Sequence, residues 1–205
     1  MKISLNRNEF IANKIGFLNG ETLLDIGCRD MILKKYLMGK FKYIGIDYQI
    51  KNRESKDFIN HNLENGLPEI DKVEIITAVD VLEHLENIHD IFASLFLLSK
   101  KKIVIALPNM GHYKFRINYF LTGNLSAKYN FSEKKIFDRH RWIPNYKSIN
   151  YFVETNVPKN WTIVEYNYIF ERRKNYLFYF IEKLLSKMFP SIFVYEKIYF
   201  FFKKS

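Results

Sequence analysis

The first half of the chain alternates short apolar runs with segments in which apolar residues recur at helical spacing. The apolar runs predict five strands, at 21–27, 41–46, 57–62, 73–79 and 102–107. Apolar stripes at 32–37 and 88–98 predict helices between them. Strands of this apolar character are typically buried on both faces, and strands that alternate with helices usually form βαβ units. We therefore expect a parallel sheet with helices on both of its faces.

The second half of the chain has a less regular pattern. Residues 109–145 mix glycine, histidine, arginine and aromatic side chains with weak periodicity. This connection is much longer than the usual one of about 4–6 residues, and we therefore expect it to be a binding segment or a lid. Beyond it, the pattern predicts a helix from Ser148, a strand at 161–170, a helix at 175–189 and a strand at 197–202.

These elements indicate a single α/β domain over residues 1–205. We expect a Rossmann-like, doubly wound, mostly parallel seven-stranded sheet with helices on both faces. Residues 1–107 would form the ligand-binding half, 108–145 the binding segment or lid, and 146–205 the closing helices and strands. A chain of 205 residues is long enough for one such domain and too short for two.

Composition excludes several classes of protein. The single cysteine, Cys28, excludes a disulfide scaffold and a multi-cysteine metal site, and we expect no metal. The longest uncharged runs have 11 residues, fewer than the roughly 18–20 that a membrane-spanning helix needs. Arg7, Glu9 and Lys14 interrupt the start of the chain, which is unlike a signal peptide. We expect a cytoplasmic protein.

Charge is distributed unevenly along the chain. Residues 1–100 carry a net charge of −2, residues 101–170 a net charge of +7 and residues 171–205 a net charge of +5. This excess predicts one basic face or tail on an ordinary domain. It favours an anionic small molecule or surface as the partner and argues against nucleic acid. Solvated lysines on an exposed face are the alternative explanation.

Polar residues follow the predicted strands at the ends where an open parallel sheet binds its ligands. Along the chain, they are Asp25, Gly27, Cys28, Arg29, Asp30, Asp47, Asn62, Asp80, Glu83, His84, Asn109, Gly111 and His112. Asp47 lies 20 residues beyond Gly27, a position from which an acidic side chain accepts both hydroxyls of a ribose. The alternative is an aspartate that only stabilises a turn.

The loop after the first strand contains only one of the glycines that a dinucleotide site needs. Gly27 allows the backbone to pass close to a ligand, or serves only in the turn. Arg29 and Met31 occupy the positions of the further glycines that cradle a pyrophosphate. The loop therefore favours a nucleoside without phosphates and counts against a dehydrogenase.

Three of these features together resemble the class I S-adenosylmethionine-dependent methyltransferases. They are Leu23-Leu-Asp-Ile-Gly-Cys28, the acidic Asp47, and Ala78-Val-Asp-Val-Leu-Glu-His-Leu85. The segment Leu107-Pro-Asn-Met-Gly-His-Tyr-Lys-Phe-Arg116, with Gly123 downstream, resembles the MetW family. Residues 138–143 are similar to glycan-associated and MetW-like members. The resemblance covers about residues 8–170.

The resemblance implies a role for each matching residue. Asp25, Gly27 and Arg29 would surround the methionine half of S-adenosylmethionine, and Arg29 would pair with its carboxylate or crowd the pocket. Asp47 would bind the ribose and Asn62 the adenine amino group. Asp80 would lie near the sulfonium, and the expected cofactor-binding set is completed by Cys28 and Val81.

Histidines and arginines are the candidates for the acceptor side. Methyl transfer to oxygen benefits from a general base of near-neutral pKa, and we rank His112 before His84 and His140 for this role. A purely structural role is the alternative for each histidine. An anionic acceptor would bind to basic and aromatic residues of the binding segment, or these residues form only a solvated face. They are Tyr113, Arg116, Arg139, Arg141 and Trp142.

The last 35 residues are basic and contain 11 of the 35 aromatic residues. A helix over 172–189, with Lys183 and Lys187 opposite its apolar stripe, fits peripheral contact with an anionic membrane at the inner membrane face. The alternatives are a helix that covers the sheet, with 197–202 as its last strand, or a surface for a protein partner.

Two functions follow from these expectations. The first is an S-adenosylmethionine-dependent methyltransferase that methylates an oxygen of a small molecule or saccharide, which would place it in polysaccharide biosynthesis. The second is a MetW-like module that binds the cofactor and regulates an acyltransferase partner without turnover of its own.

Overall fold

Seven strands form one sheet in a computed structural model that describes residues 6–48, 56–131, 139–169 and 176–204. The strands are β1 (Thr22–Ile26), β2 (Lys42–Asp47), β3 (Phe58–Asn60), β4 (Val73–Val79), β5 (Ser99–Pro108), β6 (Trp161–Tyr168) and β7 (Glu196–Lys203). Their order across the sheet is β3-β2-β1-β4-β5-β7-β6. Strands β1 to β5 run parallel, and β7 lies antiparallel between β5 and β6. The predicted mostly parallel seven-stranded sheet is thereby confirmed.

The helices in the described part of the chain are α1 (Arg7–Ile15), α2 (Ile88–Leu98), α3 (Tyr113–Thr122), α4 (Tyr146–Asn156), α5 (Tyr176–Met188) and α6 (Pro190–Phe193). Of these, α1, α2 and α4 cover the two faces of this sheet. Single 3₁₀ turns follow at Leu33–Lys35, Leu63–Asn65, Leu82–His84 and Ala127–Tyr129. Most of these turns lie at the edge of the sheet where the parallel strands end.

Alternation along the strands divides the core into two clusters, one on each face of the sheet. In β5, Ile103 and Ile105 belong to the first cluster, whereas Val104 and Ala106 belong to the second. The first cluster includes the buried residues of α2 and α4, and the second includes those of α1. The doubly wound arrangement therefore follows directly from strands that are apolar on both sides.

Two predicted helices differ from those in the structure, and helix α3 is absent from the prediction. The helix expected at 32–37 is wrong: Leu33 and Leu37 are buried, but the connection makes a single 3₁₀ turn before Gly39, at φ 98°, redirects the chain. The helix expected from Ser148 begins at Tyr146, because Asn145 and Ser148 form a capping box. Helix α3 was not predicted, since it presents no buried face to give a pattern.

Helix α5 turns its apolar stripe away from the protein. The stripe is exposed, whereas Glu182 and Ser186 on the other face are buried. The exposed stripe consists of Leu177, Ile181, Leu184 and Met188. The alternative in which this helix covers the sheet is therefore wrong, although 197–202 does form the predicted last strand, as part of β7. Residues 170–175 lie outside the described part of the chain.

Helix α3 adds a second exposed apolar surface beside α5. Its exposed residues include Phe120, which is 88% exposed, and the two helices are joined where the Tyr113 hydroxyl donates to Glu182 Oε1 over 2.8 Å. Among the described residues, no helix combines the length and apolar character needed to cross a membrane.

Candidate active site

The carboxyl ends of β1, β2 and β4 meet at one edge of the sheet. Ile26 at the end of β1 is opposite Ile46 of β2 and Ala78 of β4. The polar residues that follow these strands are therefore brought together, as the strand-end argument predicts.

The loop after β1 has three residues in the backbone region that favours glycine, although only one of them is glycine. Gly27, Arg29 and Met31 all have positive φ, at 70°, 44° and 50°. A Cβ on Gly27 would lie 2.6 Å from the Cβ of Val81, so glycine is required there for space as well as for conformation. The Met31 side chain packs into the second core cluster, and that of Arg29 is exposed.

Asp47 at the end of β2 is held by backbone groups on both carboxylate oxygens. Its Oδ2 accepts the Arg29 N–H and its Oδ1 accepts the Tyr48 N–H, each over 2.7 Å. Each carboxylate oxygen has a second lone pair, and Asp47 is half-buried. Asp47 can therefore still accept hydrogen bonds from a diol.

Asp25 lies inside the sheet. Its carboxylate accepts the Tyr43 hydroxyl over 2.6 Å and the Thr77 hydroxyl over 2.7 Å, so it joins β1 to both neighbouring strands. Burial raises the pKa of Asp25 to about 6, although both hydrogen bonds oppose the shift. In this arrangement Asp25 positions the end of β1, and its direct contact with a ligand stays a prediction.

The other predicted cofactor residues are placed at the same edge with different exposure. The Asn62 side chain accepts the Glu64 N–H over 3.1 Å and so caps the turn after β3. Cys28 and Val81 are buried, Cys28 against Gly45 and Val81 against Gly27. Both belong to the core clusters, and their contact with the cofactor stays a prediction.

Arg7 and Glu196 belong to this edge, and sequence reasoning missed both. Arg7 pairs with Asp80 and also lies 3.1 Å from both carboxylate oxygens of Glu196. Burial, together with the charge of Asp80, raises the pKa of Glu196, and Arg7 opposes that rise. In the sequence, Glu196 is a lone acidic residue directly before the strand predicted at 197–202. A pattern analysis assigns such a residue to the preceding turn.

Glu83, His84 and His140 form a compact cluster at the end of β4. Glu83 Oε1 lies 3.8 Å from His84 Nε2 and 4.0 Å from His140 Nε2, and the two imidazole rings meet edge to face with centroids 4.4 Å apart. Glu83 is 1% exposed; burial, with the charge of Asp80, raises its pKa to about 8. The structure thus brings together two of the three predicted catalytic histidines.

His112, the histidine ranked first, lies elsewhere. It is fully buried, and its Nδ1 accepts the Lys114 N–H over 3.3 Å as the N-cap of α3. Its ring packs against Tyr113 and Tyr195. In this conformation an acceptor cannot reach it, and its catalytic role stays a prediction without geometric support.

The loop that contains His140 is fastened to the turn after β4. The Arg141 and Trp142 N–H groups both donate to the Glu83 carbonyl, and Trp142 Nε1 donates to the Leu85 carbonyl over 2.7 Å. Arg141 Nε also donates to Glu64 Oε1 over 3.0 Å. Arg141 and Trp142 thus hold the loop in place.

The remaining acceptor candidates differ in exposure. Arg139 and Arg116 are exposed, and Arg116 Nε donates to the Gly111 carbonyl over 2.6 Å, which leaves its other N–H groups for a ligand. Tyr113 is engaged by Glu182. Asp138, the first residue of the 138–143 motif, lies outside the described residues.

Comparison with known proteins agrees with this geometry. The sequence profile of the methyltransferase-domain family matches residues 5–152. No curated protein matches the sequence significantly.

Three solved structures illustrate the likeness of fold. The small RNA methyltransferase HEN1 superposes with a TM-score of 0.65 at 16% identity over 97% of this chain and 25% of its own, so this chain spans about a quarter of that protein. The plantazolicin methyltransferase BamL, solved with S-adenosylhomocysteine, gives a TM-score of 0.59 at 16% identity over 90% and 77% of the two chains. The magnesium protoporphyrin IX methyltransferase of Synechocystis, also solved with S-adenosylhomocysteine, gives a TM-score of 0.51 at 13% identity. The match covers 96% of this chain and 80% of that protein.

The family match covers most of the chain, and the fold and strand-end residues agree with it. The chain therefore belongs to the methyltransferase-domain family and is a class I S-adenosylmethionine-dependent methyltransferase.

Proposed function

We propose that this enzyme methylates a hydroxyl oxygen of a small molecule or saccharide. The observation that carries the proposal is the Glu83–His84–His140 cluster at the end of β4. The cluster contains two imidazoles, and its carboxyl group, Glu83, is close enough to Asp80 for the charge of Asp80 to raise the pKa of Glu83. Asp80 is the residue expected near the sulfonium. Imidazole is the side chain best suited to take a proton from a hydroxyl near neutral pH.

The residues at the strand ends fit the cofactor. Asp47 has lone pairs for the two ribose hydroxyls, and Asn62 stands at the end of β3 for the adenine. The loop of Gly27 to Met31 lacks the further glycines that cradle a pyrophosphate, and S-adenosylmethionine contains no phosphate. Arg29 is exposed beside Asp47, where its guanidinium can pair with the carboxylate of the cofactor. Bound there, S-adenosylmethionine supplies an electrophilic methyl group.

Methyl transfer requires this chain mainly to position the acceptor hydroxyl against the methyl group and to supply a proton acceptor. As the acceptor oxygen bonds to the methyl carbon, the bond from that carbon to sulfur breaks and its electron pair stays on sulfur. The hydroxyl proton leaves to Nε2 of His84, the more exposed of the two imidazoles, and the buried His140 lies behind it. The products are the methyl ether and S-adenosylhomocysteine.

An anionic saccharide is the acceptor class that the charge distribution supports. The segment 101–170, with a net charge of +7, includes Arg116 and Arg139, both exposed at the acceptor side. Arg141 is already engaged by Glu64, so these two arginines are the candidates for an acidic or phosphate-bearing sugar.

The experiment that tests this function measures the transfer of a radiolabelled methyl group from the cofactor to a panel of acceptors. The panel contains sugar phosphates, nucleotide sugars, neutral sugars, an RNA hairpin and a peptide. We expect turnover with an anionic sugar, with the label in an alkali-stable methyl ether. Label only in RNA or peptide, or none with any acceptor, would contradict the proposal.

Peripheral membrane contact is a second proposal, and the outward stripe of α5 favours it. Exposed Leu177, Ile181 and Leu184 lie on the same helix as Lys183 and Lys187. Apolar side chains enter the interface of a bilayer while lysines meet anionic headgroups. The occupant we propose is therefore an anionic lipid surface, which would bring a lipid-linked saccharide within reach. If the protein does not bind vesicles, the exposed stripe of α5 is instead assigned to a MetW-like protein partner.

A further inference from the structure

The cluster at the end of β4 has the geometry of a metal site. Donor atoms of Glu83, His84 and His140 all lie within 4.8 Å of one another. Two donors about 2.1 Å from a shared ion are about 3–4.2 Å apart. The measured separations of 3.8 Å and 4.0 Å from Glu83 Oε1 to the two Nε2 atoms fall in that range.

Hydrogen bonds on the far side of each imidazole fix its tautomer. His84 Nδ1 lies 3.2 Å from the Arg139 carbonyl, which can only accept, so Nδ1 carries the proton. His140 Nδ1 lies 2.9 Å from the Tyr129 hydroxyl, whose own proton goes to the Trp142 carbonyl over 2.7 Å. Nδ1 of His140 is therefore also the donor. Both neutral rings turn an Nε2 lone pair towards Glu83, and such outer contacts are usual behind metal-ligating histidines.

Glu83 supplies an independent observation. Its side chain is 1% exposed, and Oε2 has no hydrogen-bond partner within the described ranges. A buried carboxyl oxygen without a hydrogen-bond partner is costly, and a metal ion bound at this oxygen would relieve that cost.

We propose that Glu83, His84 and His140 bind a divalent first-row transition-metal ion. Two imidazole nitrogens and one carboxylate suit manganese, iron, cobalt or zinc, whereas calcium and magnesium prefer oxygen ligands only. The sequence predicts no metal, because Glu83 and His84 are adjacent while the third ligand arrives on a distant loop. Arg141 and Trp142 fasten that loop in place.

Three protein ligands leave coordination positions open for a substrate. This consequence rests on the proposed function: a hydroxyl oxygen of the acceptor would take an open position, and the ion would lower the pKa of that hydroxyl. His84 and His140 then hold the ion, and the proton leaves to solvent. Binding of the ion itself requires no acceptor.

The test uses full-length protein freed of metal by chelation and dialysis. Manganese(II) binding is followed by the loss of its free electron paramagnetic resonance signal, and cobalt(II) binding by visible absorption. We expect one ion per chain, with a cobalt spectrum that indicates nitrogen ligation and a manganese-dependent rise in Tm.

Matched variants separate ligation from folding. His140→Asn and Glu83→Gln remove one ligand each, and we expect each to weaken manganese binding at least about tenfold. Tyr129→Phe removes no ligand but removes the hydroxyl behind His140, with its bond to the Trp142 carbonyl, and should weaken binding by about tenfold. His89→Asn, an exposed histidine on α2, should bind as the original chain does. Circular dichroism establishes that each variant is folded, and His84→Asn replaces any variant that is not.

The outcomes separate this inference from the proposed function. Absence of binding at about 1 mM manganese or cobalt, or equal binding by all folded variants, would overturn the metal site. Manganese binding without methyl transfer would leave the site standing and remove the function. Methyl transfer at full rate in excess chelator would remove the ion's proposed role with the acceptor but not its binding.

Discussion

Arg7 lies 3.1 Å from both carboxylate oxygens of Glu196, a contact that joins the first helix to the last strand. Glu196 is 1% exposed, so its charge has little solvent to stabilise it. The same guanidinium pairs with Asp80 at the end of β4. One arginine thus ties the beginning of the chain to the candidate active site.

Replacing Arg7 should destabilise the protein strongly. Arg7→Met leaves two carboxylates together without a cation, and we expect a loss of about 3 kcal/mol in the free energy of unfolding. Urea denaturation at pH 7 measures it. Glu196→Gln added to Arg7→Met should restore much of the loss, whereas Lys14→Met on the same helix should change little. Equal losses of stability in Arg7→Met and Lys14→Met would contradict this role of Arg7.

Asp25 should make stability depend on pH. Its pKa in the folded state, about 6, is raised from 3.8, so the folded state holds the proton more tightly than the unfolded state. The contribution of Asp25 to the free energy of unfolding therefore falls as pH rises from about 4 to about 6, and it stays low above that. Across this interval the raised pKa corresponds to about 3 kcal/mol.

The comparison for Asp25 is with Asp25→Asn, which cannot ionise. Urea denaturation from pH 4 to pH 7 should show that the original chain loses stability relative to the variant as pH rises. Asp71→Asn, a change at an exposed carboxylate, is the control variant. If the free energy of unfolding of Asp25→Asn changed with pH in parallel with that of the original chain, the buried carboxylate would not titrate as described.

The loop after β1 should accept glycine at position 29 with a gain in stability. Arg29 has a φ of 44°, a strained conformation for a residue with a side chain, and its side chain is exposed. Arg29→Gly should raise the free energy of unfolding by up to about 1 kcal/mol. Met31→Gly should lower it instead, since Met31 packs in the core. A loss of stability in Arg29→Gly would indicate that the arginine side chain has a structural contact.

Helix α5 should bring the protein to anionic vesicles. We expect cosedimentation with phosphatidylglycerol-containing vesicles at low salt, weaker at high salt, and little with phosphatidylcholine alone. Lys183→Glu with Lys187→Glu should weaken binding at least about tenfold, because each basic residue contributes about 1 kcal/mol. Leu177→Ser with Ile181→Ser should also weaken it. Lys40→Glu with Lys42→Glu, far along the chain and exposed, is the matched control. Binding that none of these changes alters would remove α5 as the membrane surface.

The sequence predicts the sheet well because its strands are apolar on both faces. Ile103 to Ala106 alternate between two buried clusters, so both faces of β5 are apolar. A continuous apolar run is therefore enough to identify this strand in the sequence. The strand-end residues were found for the same reason, since each follows directly after such a run.

Tertiary contacts that pattern analysis cannot see account for what the sequence missed. The stripe of α5 has the spacing of a core helix, yet Glu182 faces the protein because Tyr113 of α3 donates to it. His112 follows a strand as a catalytic residue would, yet it caps a helix and is buried. His140 joins Glu83 only because a distant loop folds back onto the turn after β4.

Cofactor binding at Asp47 is the most direct test of the account. Isothermal titration calorimetry should show S-adenosylhomocysteine binding to the original chain and to the control Asp57→Ala with the same Kd. Asp47→Ala, folded by circular dichroism, should bind at least about tenfold more weakly, because two hydrogen bonds from the ribose to a charged carboxylate are lost. An unchanged Kd for Asp47→Ala would contradict the placement of the cofactor at this edge of the sheet.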